Sequence, residues 1–172
     1  IIEQKIEGTV TGTQTTYFDD YGIKEATYTK NTMKILGISK STETLTISDK
    51  DWTIDINLDE KTGTRVSNKV IKDMLDGIAE KDYERFGEEM LKKLGGKKVG
   101  NEVILGKNCE VWEIKKVNTT SWIYKGIALK SVVSMMGMTT NYTATSFQEN
   151  VPIPAEKFQV PKGIKITDEE IN

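Results

Sequence analysis

The residues best placed to do chemistry lie in NCEVWEIKKVNTTSWIYKGIALK, residues 108–130. This stretch holds the only cysteine, Cys109, and two of the three tryptophans, Trp112 and Trp122. A cysteine attacks only as its thiolate, which needs a nearby base or positive field. The chain has no histidine. That removes the commonest general base, the Ser–His and Cys–His pairs, and every histidine-ligated zinc or copper site. Only Lys107 or Lys115 could activate Cys109, and a lysine on an extended strand is ordinarily solvated. Cys109 therefore reads as a buried packing thiol. No nucleophile–base pair can be assembled elsewhere, so the chain is expected not to be an enzyme.

Metal and cofactor chemistry fares no better. One cysteine allows neither an internal disulfide nor a thiolate cluster. Met135, Met136 and Met138 in SMMGM are soft ligands suited to Cu(I), but they lack Cys or His neighbours at ligand spacing. Flexible methionines lining an adaptable apolar pocket fit better. The acidic pairs Asp19–Asp20, Asp59–Glu60 and Glu88–Glu89 fall at turns or on a polar helix face without calcium-loop spacing. No metal and no cofactor are expected.

The totals narrow the partners. Lys+Arg is 24 and Asp+Glu 26 over 172 residues, and only Arg65 and Arg85 are arginines. Specific nucleic-acid binders carry a basic face with Arg for base and phosphate contacts, so nucleic acid is not an expected partner. No run approaches 18 apolar residues, so no transmembrane segment is expected. The opening at Ile1 rather than Met leads us to expect a processed or trimmed product, as removal of a signal peptide would leave.

Several elements must position these residues. KIEGTVTGTQTTYF reads as a Thr-rich strand closed by the turn DDYG, followed by the strands IKEATYTKNTMKIL and TETLTIS. In DWTIDINLD, Trp52, Ile54, Ile56 and Leu58 alternate with Thr53, Asp55 and Asn57, and KTGT ends the strand. From 67 to 94 the period becomes helical. Val70, Ile71, Met74, Leu75 and Ile78 form one stripe, and Tyr83, Phe86, Met90 and Leu94 a second, rotated one. Two helices, or one bent between Gly77 and Asp82, are expected, ended by Gly95 and Gly96. Extended segments return over 102–150, and 151–172, with all three prolines, reads as an irregular tail, an edge ending in one short segment. Strands, helical insert, then strands within one domain (1–172) favour an α+β, mostly β fold: an antiparallel sheet with helices on one face.

The apolar load on the strands, from Trp52, Ile54 and Ile56 through Trp112, Trp122, Tyr124, Met135, Met136 and Met138, is large for one sheet face. Gly126, Gly137 and the glycines of the first strand would let the sheet bend strongly. A curved sheet under a helix makes either a tight core or a ligand cavity.

The stretch GGKKVGNEVILGKNCEVWEIKK, with TSWIYKGIALKS and GMTTNYTATSFQENVPIPAEKFQVPKGIKI, resembles a family of uncharacterised bacterial envelope proteins. That family is similar in architecture to the outer-membrane lipoprotein carriers (LolA-like). G-K-x-C-x-x-W at Gly106, Lys107, Cys109 and Trp112, followed by W-x-x-x-G-I-x-L-K, carries the likeness. GTQTTYFDDYG and WTIDINLDEKTGT extend it over nearly the whole chain. The resemblance implies a strongly curved antiparallel sheet, an incomplete barrel, with the helical insert on its concave face as a lid. It also implies a periplasmic or envelope location after signal removal. The cavity would be lined by Trp52, Ile54, Ile56 and the aromatic residues Trp112, Trp122 and Tyr124, with Met74, Leu75, Ile78, Phe86 and Met90 on the lid side. The carriers place a lid-locking arginine on an early strand, where this chain has only lysines.

The expected function is non-enzymatic binding of a lipid, acyl chain or lipidated protein between sheet and helices. The alternative is an interaction or sensor module of the same fold with a filled core, whose partner is another envelope protein.

Overall fold

A computed structural model of the chain describes residues 1–35, 37–79 and 82–169. Leu36 at the end of an expected strand, Glu80 and Lys81 inside the helical insert, and Glu170, Ile171 and Asn172 of the tail lie outside the described residues, as do the side chains of Tyr21, Ile35 and Ile71. The first half contains β1 (Ile2–Gly8), β2 (Val10–Asp19), β3 (Lys24–Ile35), β4 (Ile38–Ser48), β5 (Trp52–Asn57) and β6 (Thr62–Ser67). Then come α1 (Lys69–Leu75) and α2 (Tyr83–Lys93). The second half is β7 (Gly96–Ile104), β8 (Lys107–Ile114), β9 (Thr119–Tyr124), β10 (Ile127–Met135), β11 (Met138–Phe147) and β12 (Lys165–Glu169).

Three boundaries differ from the sequence reading. The expected first strand is a hairpin, β1–β2, turning at Gly8. Gly8 has φ 126°, and a Cβ there would lie 2.2 Å from the Thr139 carbonyl oxygen. Only glycine meets both demands, but a lone Gly in a Thr-rich run gives little sign of a turn. KTGT does more than end the strand. The turn is made by Lys61 at φ 56°, and Thr62 already opens β6. The returning strand, expected from 102, begins at Gly96.

The twelve strands of the described residues join one open sheet in the order β12-β6-β5-β4-β3-β2-β1-β11-β10-β9-β8-β7. Neighbours are antiparallel except β12, which runs parallel to β6. The chain is mostly β, and among the described residues the two end strands do not pair to close a barrel.

Ile2, Gln4 and Ile6 are buried on β1, while Glu3, Lys5 and Glu7 between them are exposed. The ladder carries the Gln4 face through Gln14, Thr29, Thr44, Asn57 and Thr62. The other face is set by Tyr28 opposite Leu45 and Leu45 opposite Ile56. Two buried clusters result. Ile2, Cys109, Leu129 and Ala144 form one, with Phe18, Trp122, Tyr124 and Phe147 against it. Ala26, Leu45, Ile47 and Ile56 form the second, covered by Leu58, Phe158, Ile164 and Ile166.

The tail is thus a structural element. The Tyr28 hydroxyl donates to the Lys157 carbonyl at 3.1 Å, the Lys165 N–H donates to the Lys61 carbonyl, and Arg65 pairs with Asp168 at 2.7 Å. Arg65 also stacks over Trp52 at 4.7 Å, so it ties β12 to the start of β5. α2 has Glu84 in its first turn and Lys92 and Lys93 in its last, matching the helix dipole at both ends. Glu88–Lys92 and Arg85–Glu89 add pairs one turn apart. Gly95, at φ 78°, ends it.

Candidate functional site: an open hollow beside the second helix

A hollow of about 1950 Å³ opens on the Gln4 face of the sheet. Its walls come from β1, β2 and β3 on one side, from β7 to β11 on the other, and from α2. Strands up to seven places apart in the sheet thus face one shared space. α2 contributes Tyr83, Glu84, Gly87, Glu88 and Leu91, which recur at helical spacing and so form one face.

The floor is polar and internally hydrogen-bonded. The Gln14 amide donates to the Gln4 oxygen at 3.0 Å, and the Gln4 amide donates to the Ala128 carbonyl at 3.4 Å. The Thr29 hydroxyl donates to Gln14 at 3.3 Å. The hydroxyls of Thr16 and Thr27 share a hydrogen bond of 3.0 Å, and Thr27 also donates to Glu25 at 2.9 Å. Trp112 turns its indole N–H to Glu110 at 3.1 Å, and Glu110 is in turn held by Lys98. That cation holds the Glu110 carboxyl below its ordinary pKa.

Apolar groups rise around this floor. Phe18 and Phe147 stack at 6.3 Å between centroids, and Tyr124 meets Phe147 edge-on at 6.0 Å. Ile2, Ile123, Ile127, Val133 and Leu91 complete this lining. At the rim Glu149 pairs with Lys107 at 2.7 Å and with Lys125, and the Lys107 ammonium lowers its pKa. The lining is amphiphilic: a hydrogen-bonded floor, apolar walls and a mouth carrying Asp19, Asp20, Glu84 and Glu88.

Glu25 is the lining carboxyl most affected by burial. Loss of solvent raises its pKa above the ordinary 4.5, and the Thr27 hydrogen bond offsets this only in part. The folded chain therefore binds this proton more tightly than the unfolded chain does. The resulting stability is full below the ordinary carboxylate pKa and is lost as pH rises through the raised folded value. Glu25→Gln is expected to raise the melting temperature near neutral pH and to leave it unchanged below pH 4.5. Melting curves of both proteins across that range check this, and identical curves throughout would contradict it.

Cys109 is fully buried. Burial pushes its thiol pKa up, and its Sγ donates to the Lys107 carbonyl at 3.5 Å. The lysine beside it, Lys107, is engaged with Glu149 and cannot generate the thiolate. Cys109 is expected to resist a thiol reagent such as DTNB in the native protein and to react promptly once denaturant is added.

The anticipated lining residues divide sharply. Trp112 and Tyr124 line the hollow. Trp122 lies opposite Val111 in the ladder, which puts it on the other face from Trp112, and its indole N–H donates to Glu102 at 2.6 Å. Trp52, Ile54 and Ile56 belong to the opposite face. Ile56 is buried in the second cluster, Ile54 packs against it, and Trp52 is half-exposed under Arg65. On α1, Leu75 is buried and Met74 exposed, and Ile78 just beyond is half-buried. Phe86 and Met90 are half-buried on α2, but the helix turns Tyr83, Gly87 and Leu91 to the hollow instead. Met135, Met136 and Met138 are exposed at a hairpin tip.

Sequence reading missed Gln4, Gln14, Thr16 and Glu25. The alternation Ile2, Gln4, Ile6 was a usable signal, since it puts a polar residue in an inward row. Its partner Gln14 becomes evident only once the turn at Gly8 is known. A smaller depression of about 460 Å³ lies over the hydroxyl-rich end of the same face, between Thr44, Thr46, Asp55, Thr62, Thr64 and Thr167. Among the described residues no group of three or more Cys, Asp or Glu side chains is placed to hold a metal ion. No helix among them is long and apolar enough to cross a membrane.

No protein-family model and no curated protein matches the chain. Among solved structures, the crystal structure of an uncharacterised conserved protein from Thermus thermophilus is similar, with a TM-score of 0.57 and 8% identity over 98% of this chain and 90% of that one. At that identity the likeness is one of fold alone.

Proposed function

We propose that this chain is a non-enzymatic binder of an amphiphilic ligand (a lipid, an acyl chain or a lipidated polypeptide) held in the hollow, with α2 as a lid over a curved, incomplete barrel. The observation that carries this reading is the hollow's size and lining. Drug-sized sites occupy about 300–1,000 Å³, and this hollow is about 1950 Å³. Each methylene taken out of water contributes about 0.8 kcal/mol, so a dozen give roughly 10 kcal/mol before ordering costs. The walls around Ile2, Phe18, Leu91, Trp112 and Phe147 suit such a chain. The Gln4–Gln14–Thr29 network offers hydrogen bonds to a polar head or linkage. Unfilled space of this extent weighs against the filled-core interaction module.

A location in the bacterial envelope belongs to the same proposal, supported by the resemblance to LolA-like carriers through Gly106, Lys107, Cys109 and Trp112. Absence of enzymatic activity is supported by the buried, unactivated Cys109 and the lack of histidine. Native mass spectrometry after gentle purification, with titration of a fluorescent fatty-acid probe, tests the reading. Bound apolar mass or saturable probe binding is expected. A protein that is empty and also indifferent to the probe would sink it.

A further inference from the structure

We propose that the rim formed by the β10–β11 tip and its neighbouring turns is a docking surface for an anionic phospholipid bilayer. This surface lies outside the hollow and needs no ligand there.

Antiparallel pairing brings the β1–β2, β3–β4, β5–β6, β8–β9 and β10–β11 turns to one end of the sheet. At that end Met135 and Met138 face each other across the ladder. Met136 between them is 91% exposed and Met135 64%. The Ser134 N–H donates to the Asn118 carbonyl at 2.9 Å, which sets the exposed Val117 beside them. The Lys116 ammonium reaches the Lys93 carbonyl at 3.3 Å and so brings in the end of α2. The result is a convex apolar tip rather than a groove. A protruding tip with flexible thioethers can sink into lipid without a matching partner shape.

Charge selects the kind of lipid. Lys93, Lys115 and Lys116 on one flank, and Lys34 and Lys40 on the other, are all exposed. Among the described residues none of the five forms an ion pair with a carboxylate. Of the nearby acids, Glu7 is paired with Lys5 at 2.7 Å, and Glu113 lies opposite Lys97 in the ladder. The far end of the sheet carries charges of both signs, Asp19, Asp20, Asp49 and Asp51 beside Lys24, Lys50, Lys107 and Lys125. A negatively charged leaflet attracts the lysines while the methionines enter the interface, two weak signals that together anchor where either alone would not.

Co-sedimentation with vesicles tests this, using phosphatidylglycerol–phosphatidylcholine mixtures against pure phosphatidylcholine. Binding is expected to the mixed vesicles only, and to weaken as salt is added. Lys115→Gln with Lys116→Gln should lower the partition coefficient about fivefold for each lysine neutralised. Met135→Ser with Met136→Ser should lower it by about tenfold or more. Met136→Trp, at a site open enough to leave folding undisturbed, should show a vesicle-dependent blue shift absent from the parent protein. No binding to the mixed vesicles, equal binding to both kinds, or binding untouched by these substitutions would overturn the proposal, and the first result would turn attention to a protein partner for the rim. The outcome does not depend on whether the fatty-acid probe binds, so the two readings fail separately.

Discussion

Gly87→Trp is expected to weaken binding of a fluorescent fatty-acid probe by roughly tenfold or more while leaving the protein at least as stable as before. Gly87 lies on the α2 face that lines the hollow, and a Cβ added there meets nothing within 4 Å. The indole would project into open space rather than into a neighbour. Glycine is the worst non-proline residue in a helix interior, so replacing it gains about 0.5 kcal/mol. A ligand chain excluded over even two methylenes loses about 1.6 kcal/mol, or more than tenfold in affinity. The two effects have opposite signs, so damage to the fold cannot imitate the result. Gly77→Trp is the control, since Gly77 also has free space around it but does not line the hollow. Equal probe affinity in all three proteins would remove the hollow as the binding site.

The second large effect concerns the two buried clusters. Leu129 and Leu45 are both fully buried, one in each cluster. Each Leu→Ala change deletes buried methyl groups and leaves a cavity, at a cost of about 3 kcal/mol. The clusters share no member and lie at different strands of the sheet. Changes at distant sites without common partners add to within about 0.5 kcal/mol. The double variant is therefore expected to lose about 6 kcal/mol, a large part of a typical domain's stability. Urea denaturation of the two single variants and the double checks this. Costs well below 2 kcal/mol would mean that the clusters are not packed as described.

The Cys109 question was answerable from composition alone. Without a histidine only Lys107 or Lys115 could activate it, and the structure buries it beside a Lys107 already engaged with Glu149. The two-helix insert was also legible, because a period of 3.6 residues over 67–94 is a local property of the chain. So was the run of strands on either side, through alternation such as Trp52, Ile54 and Ile56.

What alternation does not contain is which face of the sheet a row occupies. Trp52, Ile54 and Ile56 share a side of β5, and that side was assigned to the hollow together with Trp112 and Trp122. Register decides otherwise. Ile56 stands opposite Leu45 and Leu45 opposite Tyr28, which puts the whole row behind the sheet. A one-residue offset in the β8–β9 ladder likewise sends Trp122 away from Trp112. The apolar load that looked too great for one face is shared between two, because the tail returns Phe158 and Ile164 to cover the second.

By itself, then, the chain's sequence determined where its strands and helices lie and that Cys109 is a packing thiol, since both follow from residue identity and short-range spacing. The tertiary structure alone decided that the hollow's floor is a glutamine and threonine network, that α2 shows it Tyr83 and Leu91 rather than Phe86 and Met90, and that three methionines stand in solvent close to exposed lysines. These outcomes depend on the register of strands far apart in the chain and on the rotation of a helix about its own axis, and no local pattern encodes either.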